Sequence, residues 1–224
     1  MSWTRRRLLT ALGGGTGALL LPAGAAAADA PVRIMALGDS LTSGTGSSDG
    51  TGWRRYLAAL LTPVRDVAFV GSRRGVDSPD HEGHPGLRLA QAADRAPDWL
   101  AAAAPELVLL HLGTNDMKIA GRERGATARL AGLLATLWRA APDALVLVST
   151  LVGSPAPAVQ RRIAAYNATI PGLVAASYGR AALVRMDAVD PAVHLGDNLH
   201  PNDLGYAAMA DCWNAVLAPL LAPR

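Results

Sequence analysis

The chain is poor in several things. It has one cysteine, Cys212, one lysine, Lys118, and one phenylalanine, Phe69, and aromatic residues of all kinds make up only 4% of its 224 positions. A single cysteine excludes an intramolecular disulfide framework. Charged residues are also scarce, at 17%, and 21 Lys plus Arg stand against 18 Asp plus Glu. That excludes a disordered acidic or basic tail. The net charge of +3 comes from Arg5, Arg6 and Arg7, and from Asp29 onward 18 basic residues meet 18 acidic ones. A nucleic-acid binder keeps a basic stripe on its folded part; this balance excludes one. Half of the residues are apolar, although 45 of the positions are alanine. The length suits one ordinary domain, able to bury roughly 70% of its unfolded surface.

A long membrane-spanning run is missing too. The N-terminus reads Thr4-Arg5-Arg6-Arg7-Leu8-Leu9, followed by a Gly/Ala/Leu stretch to Leu21, Pro22 and an Ala-rich segment. A positive start, a short apolar middle and small residues at the end describe a secretory signal peptide, and the paired arginines before leucines resemble its twin-arginine form. Gly13, Gly14, Gly15 and Gly17 interrupt the middle, which falls short of the ~20 apolar residues of a membrane span. Residues 1–30 are therefore read as an export signal, cleaved between Ala26 and Ala30, and 31–224 as the working domain. No membrane attachment is expected after cleavage.

Apolar runs of strand length occur at Val32–Leu37, Val67–Val70, Leu107–Leu112, Leu145–Thr150 and Ala182–Met186. They lack polar alternation, as strands covered on both faces do. Helical spacing links Trp53, Tyr56, Leu57, Leu60 and Leu61, and again Leu130, Leu133, Leu134, Leu137 and Trp138. Further helices fit 88–103, 157–170 and 203–218, with Pro171 ending or kinking the fourth and Pro219 ending the last. Strict alternation of strand and helix predicts a mainly parallel five-stranded sheet with helices on both faces, an α/β/α sandwich. Cys212, at helical spacing from Leu204 and Ala208, reads as a buried free thiol.

In such sheets chemistry gathers where strand C-termini open into loops. The relevant loops read Gly38-Asp39-Ser40-Leu41, Asp80-His81-Glu82-Gly83-His84-Pro85-Gly86, Gly113-Thr114-Asn115-Asp116 and Asp197-Asn198-Leu199-His200-Pro201-Asn202. Together they offer a serine, a glycine amide, an asparagine amide and an Asp/His pair, the set that acyl transfer to water needs. A serine hydroxyl becomes a nucleophile when an imidazole takes its proton, and the imidazole needs an acceptor to fix its tautomer. Ser40, His200 and Asp197 fit these roles. Donors must also await the developing oxyanion, for which the Ser40 amide and Asn115 are candidates. Asp187 and Asp190 are rivals to Asp197, and His194 stands near the same loop. His111 lies within a strand and reads as a satisfied core histidine, and Asp116 as a residue that holds its loop.

These four blocks resemble the SGNH, or GDSL, hydrolase family. The resemblance implies a flavodoxin-like sandwich and places the Gly86 amide in the oxyanion hole beside Ser40 and Asn115. The one Gly-x-Ser-x-Gly match, Gly46-Ser47-Ser48-Asp49-Gly50, does not directly follow a strand-length run as a nucleophile elbow must, which argues against an ordinary α/β-hydrolase. The surrounding stretches are similar to family three of the carbohydrate esterases: Arg33-Ile34-Met35-Ala36-Leu37-Gly38-Asp39-Ser40, Phe69-Val70-Gly71-Ser72, Asp80-His81-Glu82-Gly83-His84, His111-Leu112-Gly113-Thr114-Asn115-Asp116 and Pro201-Asn202-Asp203-Leu204-Gly205-Tyr206. That family deacetylates xylan. Two departures flank the site: Leu87 stands where the family often has tryptophan, and Asn198 where glycine is common.

No metal or cofactor is expected. His81 and His84 are three apart among glycine and proline, whereas a zinc helix needs a spacing of four. Gly44-Thr45-Gly46 lacks the third glycine of a dinucleotide loop, since position 49 is Asp49, and lacks the Gly-Lys pair of a phosphate loop. The Asn167-Ala168-Thr169 sequon falls in a helical segment and reads as chance. The expectation is a secreted, monomeric serine esterase acting on an acetylated polysaccharide, xylan first. A lipid or aryl esterase of the same superfamily and a non-catalytic flavodoxin-like binding module are the alternatives.

Overall fold

Apolar runs without polar alternation form the strands they predict. The computed structural model describes residues 30–75 and 78–223, so residues 1–29 of the expected export segment lie outside them. The elements run β1 (Val32–Gly38), α1 (Ser40–Ser43), α2 (Trp53–Leu61), β2 (Val67–Val70), β3 (Glu82–Gly83), α3 (Leu89–Ala103), β4 (Leu107–His111), α4 (Thr114–Lys118) and α5 (Ala126–Ala140). Then follow β5 (Leu145–Ser149), α6 (Pro157–Asn167), α7 (Ile170–Ala175), β6 (Ala181–Val184), α8 (Pro191–His194) and α9 (Asp203–Leu221). The sheet is parallel throughout, in the order β2-β1-β4-β5-β6. Its sixth strand, the two-residue β3, pairs with β1 beyond the end of β2. Five of the strands were expected; β3 is too short to leave a hydrophobic run. The order of the five long strands is the flavodoxin-like one, which reverses between β1 and β4.

Alternation along each strand divides the core into two layers. Met35, Leu37, Val108, Leu110, Val146 and Val148 face the layer that contains Leu89, Ala92 and Ala96 of α3 and Leu130, Leu133, Leu134 and Leu137 of α5. Ile34, Ala36, Leu107, Leu109 and Leu147 face the other layer, where Trp53, Leu57 and Leu61 of α2 meet Tyr206, Met209, Trp213 and Leu217 of α9. Trp53 and Trp213 sit with ring centroids 5.4 Å apart. Covering each large apolar side chain contributes about 1.5–3 kcal/mol, so neither layer is dispensable. The expected fourth helix is two, α6 and α7. Pro171 is not its terminator but lies in the first turn of α7, where its missing N–H costs little. Pro219 likewise falls inside the last turn of α9, which continues to Leu221.

His111 closes β4 and is wholly buried, but neither ring nitrogen has a hydrogen-bond partner among the described residues. It is a core histidine, as read from its strand, but not a satisfied one. Burial lowers its pKa from 6.5 to about 4. As pH falls below about 6.5, the unfolded chain takes up a proton that the folded chain refuses until about pH 4, so stability declines through that window. His111→Leu removes this proton. Its stability, measured by denaturant titration between pH 7 and 4.5, should fall less steeply than that of the parent, by about 1 kcal/mol per pH unit on average. Parallel curves would show that the imidazole is not held neutral.

Candidate active site

The nucleophile candidate stands on a tight turn at the end of β1. Asp39 caps α1, its Oδ1 accepting from the Leu41 N–H at 3.0 Å. Gly44, in a left-handed conformation, ends α1 one turn later, and its N–H returns to the Ser40 carbonyl at 3.0 Å. Gly38 is required by close approach: a Cβ there would collide with Thr42 Oγ1 and the His111 carbonyl. The turn is held from below by Arg54, whose buried guanidinium donates from Nε to the Thr42 carbonyl at 2.9 Å and from Nη2 to the Ser43 carbonyl at 3.2 Å. From Nη1 it also reaches Ser78 Oγ and the Pro79 carbonyl. Burial without a carboxylate in direct contact lowers its pKa to about 10. Sequence reasoning missed Arg54; its position among Trp53, Leu57 and Leu61 on the apolar stripe of α2 was the available signal.

The base candidate comes from the opposite end of the chain. A bridge between Leu195 and Pro201 pinches the loop before α9, and Ser154 Oγ donates to the Asn198 carbonyl at 2.7 Å, tying that loop to the segment after β5. Asp197 Oδ1 accepts the N–H groups of Leu199 at 2.6 Å and His200 at 2.7 Å, and its Oδ2 faces His200 Nδ1 at 2.8 Å. Because an ionised carboxylate only accepts, Nδ1 carries the proton and Nε2 keeps its lone pair. That atom lies 3.1 Å from Ser40 Oγ. The chain Ser40–His200–Asp197 is thus assembled across 160 residues of sequence. Desolvation pushes Asp197 up, but the hydrogen bonds from His200 and the two backbone N–H groups outweigh it and hold the pKa at about 2.

The rival groups are engaged elsewhere. Asp190 caps α8 through Ala192 N–H, and its own N–H donates to His194 Nδ1, each at 2.9 Å. Asp187 faces Arg185 at 3.5 Å. His81 Nδ1 accepts from the Gly83 N–H, and burial with nearby Arg54 and Arg73 lowers its pKa to about 4. His84 stacks on Trp99 with centroids 4.7 Å apart and donates from Nε2 to the buried Glu82 at 2.6 Å. Ser72 also donates to Glu82 from both N–H and Oγ. Burial raises the Glu82 pKa, and these bonds bring it below its ordinary value.

Two further loops carry the candidate oxyanion donors. Gly86 occupies the third position of a turn closed by Leu87 N–H to the His84 carbonyl at 3.0 Å. Pro85 before it and φ of +82° at Gly86 match a type II turn. A Cβ there would meet nothing within 4 Å, so the conformation, not space, calls for glycine. The Gly86 N–H donates to no group among the described residues. Asn115, in α4, donates from Nδ2 to the Leu87 carbonyl at 3.0 Å and to Asp39 Oδ2 at 3.2 Å. Asp116 holds its loop as expected: Oδ2 accepts from Leu89 N–H at the start of α3, and Oδ1 pairs with Arg129 at 3.0 Å. Leu87 turns its side chain into the core. Cys212 is half-buried, and burial raises its thiol pKa.

Residues 36–208 match the GDSL-like Lipase/Acylhydrolase family. The chain belongs to that family. Its domain is therefore an ester hydrolase of the SGNH type. It is 28% identical over 218 residues to a multidomain esterase of Ruminococcus flavefaciens, covering 81% of this chain but only 28% of that protein. Among solved structures it resembles a family 3 carbohydrate esterase of Clostridium thermocellum, with TM-score 0.75 and 29% identity over 86% of this chain and 100% of that one. A family 3 carbohydrate esterase of Talaromyces cellulolyticus gives TM-score 0.72 and 26% identity over 85% of this chain and 98% of that one.

The geometry separates the carboxylates experimentally. Asp197→Asn should lower kcat by about 10⁴, because the imidazole loses the acceptor that fixes its tautomer. Its melting temperature should change little, since Asp197 is 58% exposed and water can replace its bonds. Asp187→Asn and Asp190→Asn should leave kcat within a few-fold. Steady-state kinetics on an acetyl ester decides it; a large loss for Asp187→Asn alone would move the assignment.

Proposed function

We propose that this protein is a secreted serine esterase that removes acetyl groups from a polysaccharide, xylan first. The hydrogen-bonded chain from Ser40 Oγ to His200 Nε2 at 3.1 Å and from His200 Nδ1 to Asp197 at 2.8 Å carries the reading. Ser40 Oγ attacks the acetyl carbonyl carbon while its proton passes to His200 Nε2. The carbonyl oxygen becomes an oxyanion facing the N–H groups of Ser40 and Gly86 and the Asn115 amide. The imidazolium, stabilised by Asp197, gives its proton to the departing sugar oxygen, and an acetyl ester on Ser40 remains. Water, deprotonated by the same imidazole, attacks that ester; acetate leaves and Ser40 recovers its proton.

Export rests on the Arg5-Arg6 start and the small-residue segment to Ala30. A polysaccharide substrate outside the cell suits that route. The likeness to family 3 carbohydrate esterases supports a sugar ester. Only two acyl carbons of an acetyl group need covering, whereas each further methylene would gain up to about 0.8 kcal/mol only against apolar surface. Action on soluble oligomers or on whole polymer, as a monomer and without a metal or cofactor, completes the proposal.

Two measurements test it. Acetate release from acetylated xylan, beside a panel of other acetylated polysaccharides, should be fastest for xylan and absent for Ser40→Ala, whose kcat should drop by about 10⁶ while the protein stays folded. With p-nitrophenyl esters, kcat/KM should fall from acetyl through butyryl to octanoyl. A rise along that series would sink the acetyl-esterase reading in favour of a lipid esterase.

A further inference from the structure

We propose that Tyr206 is a positioning residue whose hydroxyl fixes the spacing between Ser40 and His200. The inference rests on the nucleophile and base roles given to those two residues above. Proton transfer needs Ser40 Oγ within about 2.6–3.2 Å of the imidazole nitrogen, and the observed 3.1 Å leaves little slack. Asp197 orients the ring but does not set that distance, because it belongs to the same loop as His200 and moves with it. The spacing is decided by whatever joins the start of α9, at Asp203, to the turn that carries Ser40.

Residues 44–52 make that join. The segment is stiffened from within: Ser47 Oγ donates to the Gly44 carbonyl at 2.7 Å and accepts from the Gly52 N–H at 3.1 Å. Gly52 also closes on Gly44, so that a Cβ on Gly52 would lie 2.7 Å from the Gly44 Cα. On one side, the Thr45 N–H donates to the Ser40 carbonyl at 3.0 Å. On the other, the Thr45 carbonyl accepts from Tyr206 Oη at 2.6 Å, across 161 residues of sequence. One residue is thus bonded both to the nucleophile and to the helix that follows the base. Two further contacts run the same way. Asp203 Oδ1 accepts from the Ser48 N–H at 2.9 Å. A Cβ on Gly46 would lie 2.8 Å from the Pro201 carbonyl oxygen and 3.0 Å from His200 Cβ. The Tyr206 ring is wholly buried in the layer that α2 and α9 form, which gives the hydroxyl a rigid mount. Burial raises its pKa, so the phenol keeps the proton it donates. A buried tyrosine needs some acceptor; here the acceptor is the residue bonded to Ser40.

Kinetics on p-nitrophenyl acetate, with the full chain, test this. Tyr206→Phe removes one oxygen and keeps the ring. It should lower kcat by about tenfold or more with KM held within about twofold, since misplacing a reacting group by about 1 Å can cost about 10²-fold. In a His200→Ala background, read by single-turnover release of p-nitrophenol, the same change should cost less than about threefold, because no imidazole is left to misplace. A hydroxyl that only satisfied the core would lower the melting temperature and leave kcat alone. That result would overturn the proposal, as would equal losses in both backgrounds. Full activity in Ser40→Ala or His200→Ala would instead refute the roles on which it rests. Should Tyr206→Phe fail to fold, Asp203→Ala cuts the second tie at the same end of α9. It should lower kcat severalfold at constant KM, and an unchanged kcat would count against the proposal just as decisively.

Discussion

The pairing of β1 with β2 on one side and β4 on the other decides where chemistry can occur in this molecule. At that reversal of strand order the loops leaving β1 and β4 turn toward opposite layers, and a crevice opens between them. Ser40 leaves one strand and Asn115 follows the other. The short β3 lengthens β1 by pairing at Leu37 and Gly38, and the His84 N–H then donates to the Gly38 carbonyl. The Gly86 turn is thereby hung from the strand that carries the nucleophile. Leu87 completes the circuit by accepting from Asn115. Three loops distant in sequence are joined at backbone carbonyls, which the chain already holds in place, and this limits the entropy lost in keeping them together.

Charges buried under this arrangement are satisfied in an unusual way. Arg54 contacts carbonyl and hydroxyl oxygens alone. Glu82 is matched by a serine and a histidine instead of a surface cation. Burying such groups costs several kcal/mol each unless every polar atom finds a partner. The partners here are the chain turns that flank Ser40 and Gly86. Loss of either group would leave those turns with unpaired carbonyls or N–H groups, so the cost of burial is tied to the geometry of the site.

Long elements were legible because their signals are repeated. Five strands read as apolar runs, and the stripes of α2 and α5 show through their spacing. Short elements were not: β3, α4 and α8 have two to five residues, too few for a period, and exist because tertiary bonds hold them. Proline misled at Pro171 and Pro219, since a helix tolerates it in its first turn and at its fraying end. Ser40, Gly86, Asn115, Asp197 and His200 were named from four short blocks; hydrogen bonds join Ser40 to His200 and His200 to Asp197, and Asn115 bonds to Asp39 beside Ser40. Arg54 and Ser154 escaped because their partners are mostly backbone atoms far away in sequence, which no local pattern records. His111 illustrates the converse, being placed correctly in the core while its unpartnered nitrogens could not be read from a strand.

Two carboxylates within one site carry opposite environments, and this divides their labour. Asp197 is 58% exposed and surrounded by donors, so it stays ionised down to about pH 2. A permanent charge beside an imidazole favours the cation that must form when Ser40 gives up its proton. Asp39 is wholly buried, and desolvation raises its pKa to about 7 in spite of the Leu41 N–H and the nearby His200. A strong negative charge at that depth would oppose an oxyanion forming next to Ser40. Burial thus works against the charge on Asp39, while the N–H groups its two oxygens accept work for it. Asp39 acts through the geometry of its bonds, while Asp197, at the solvent edge, acts through its charge.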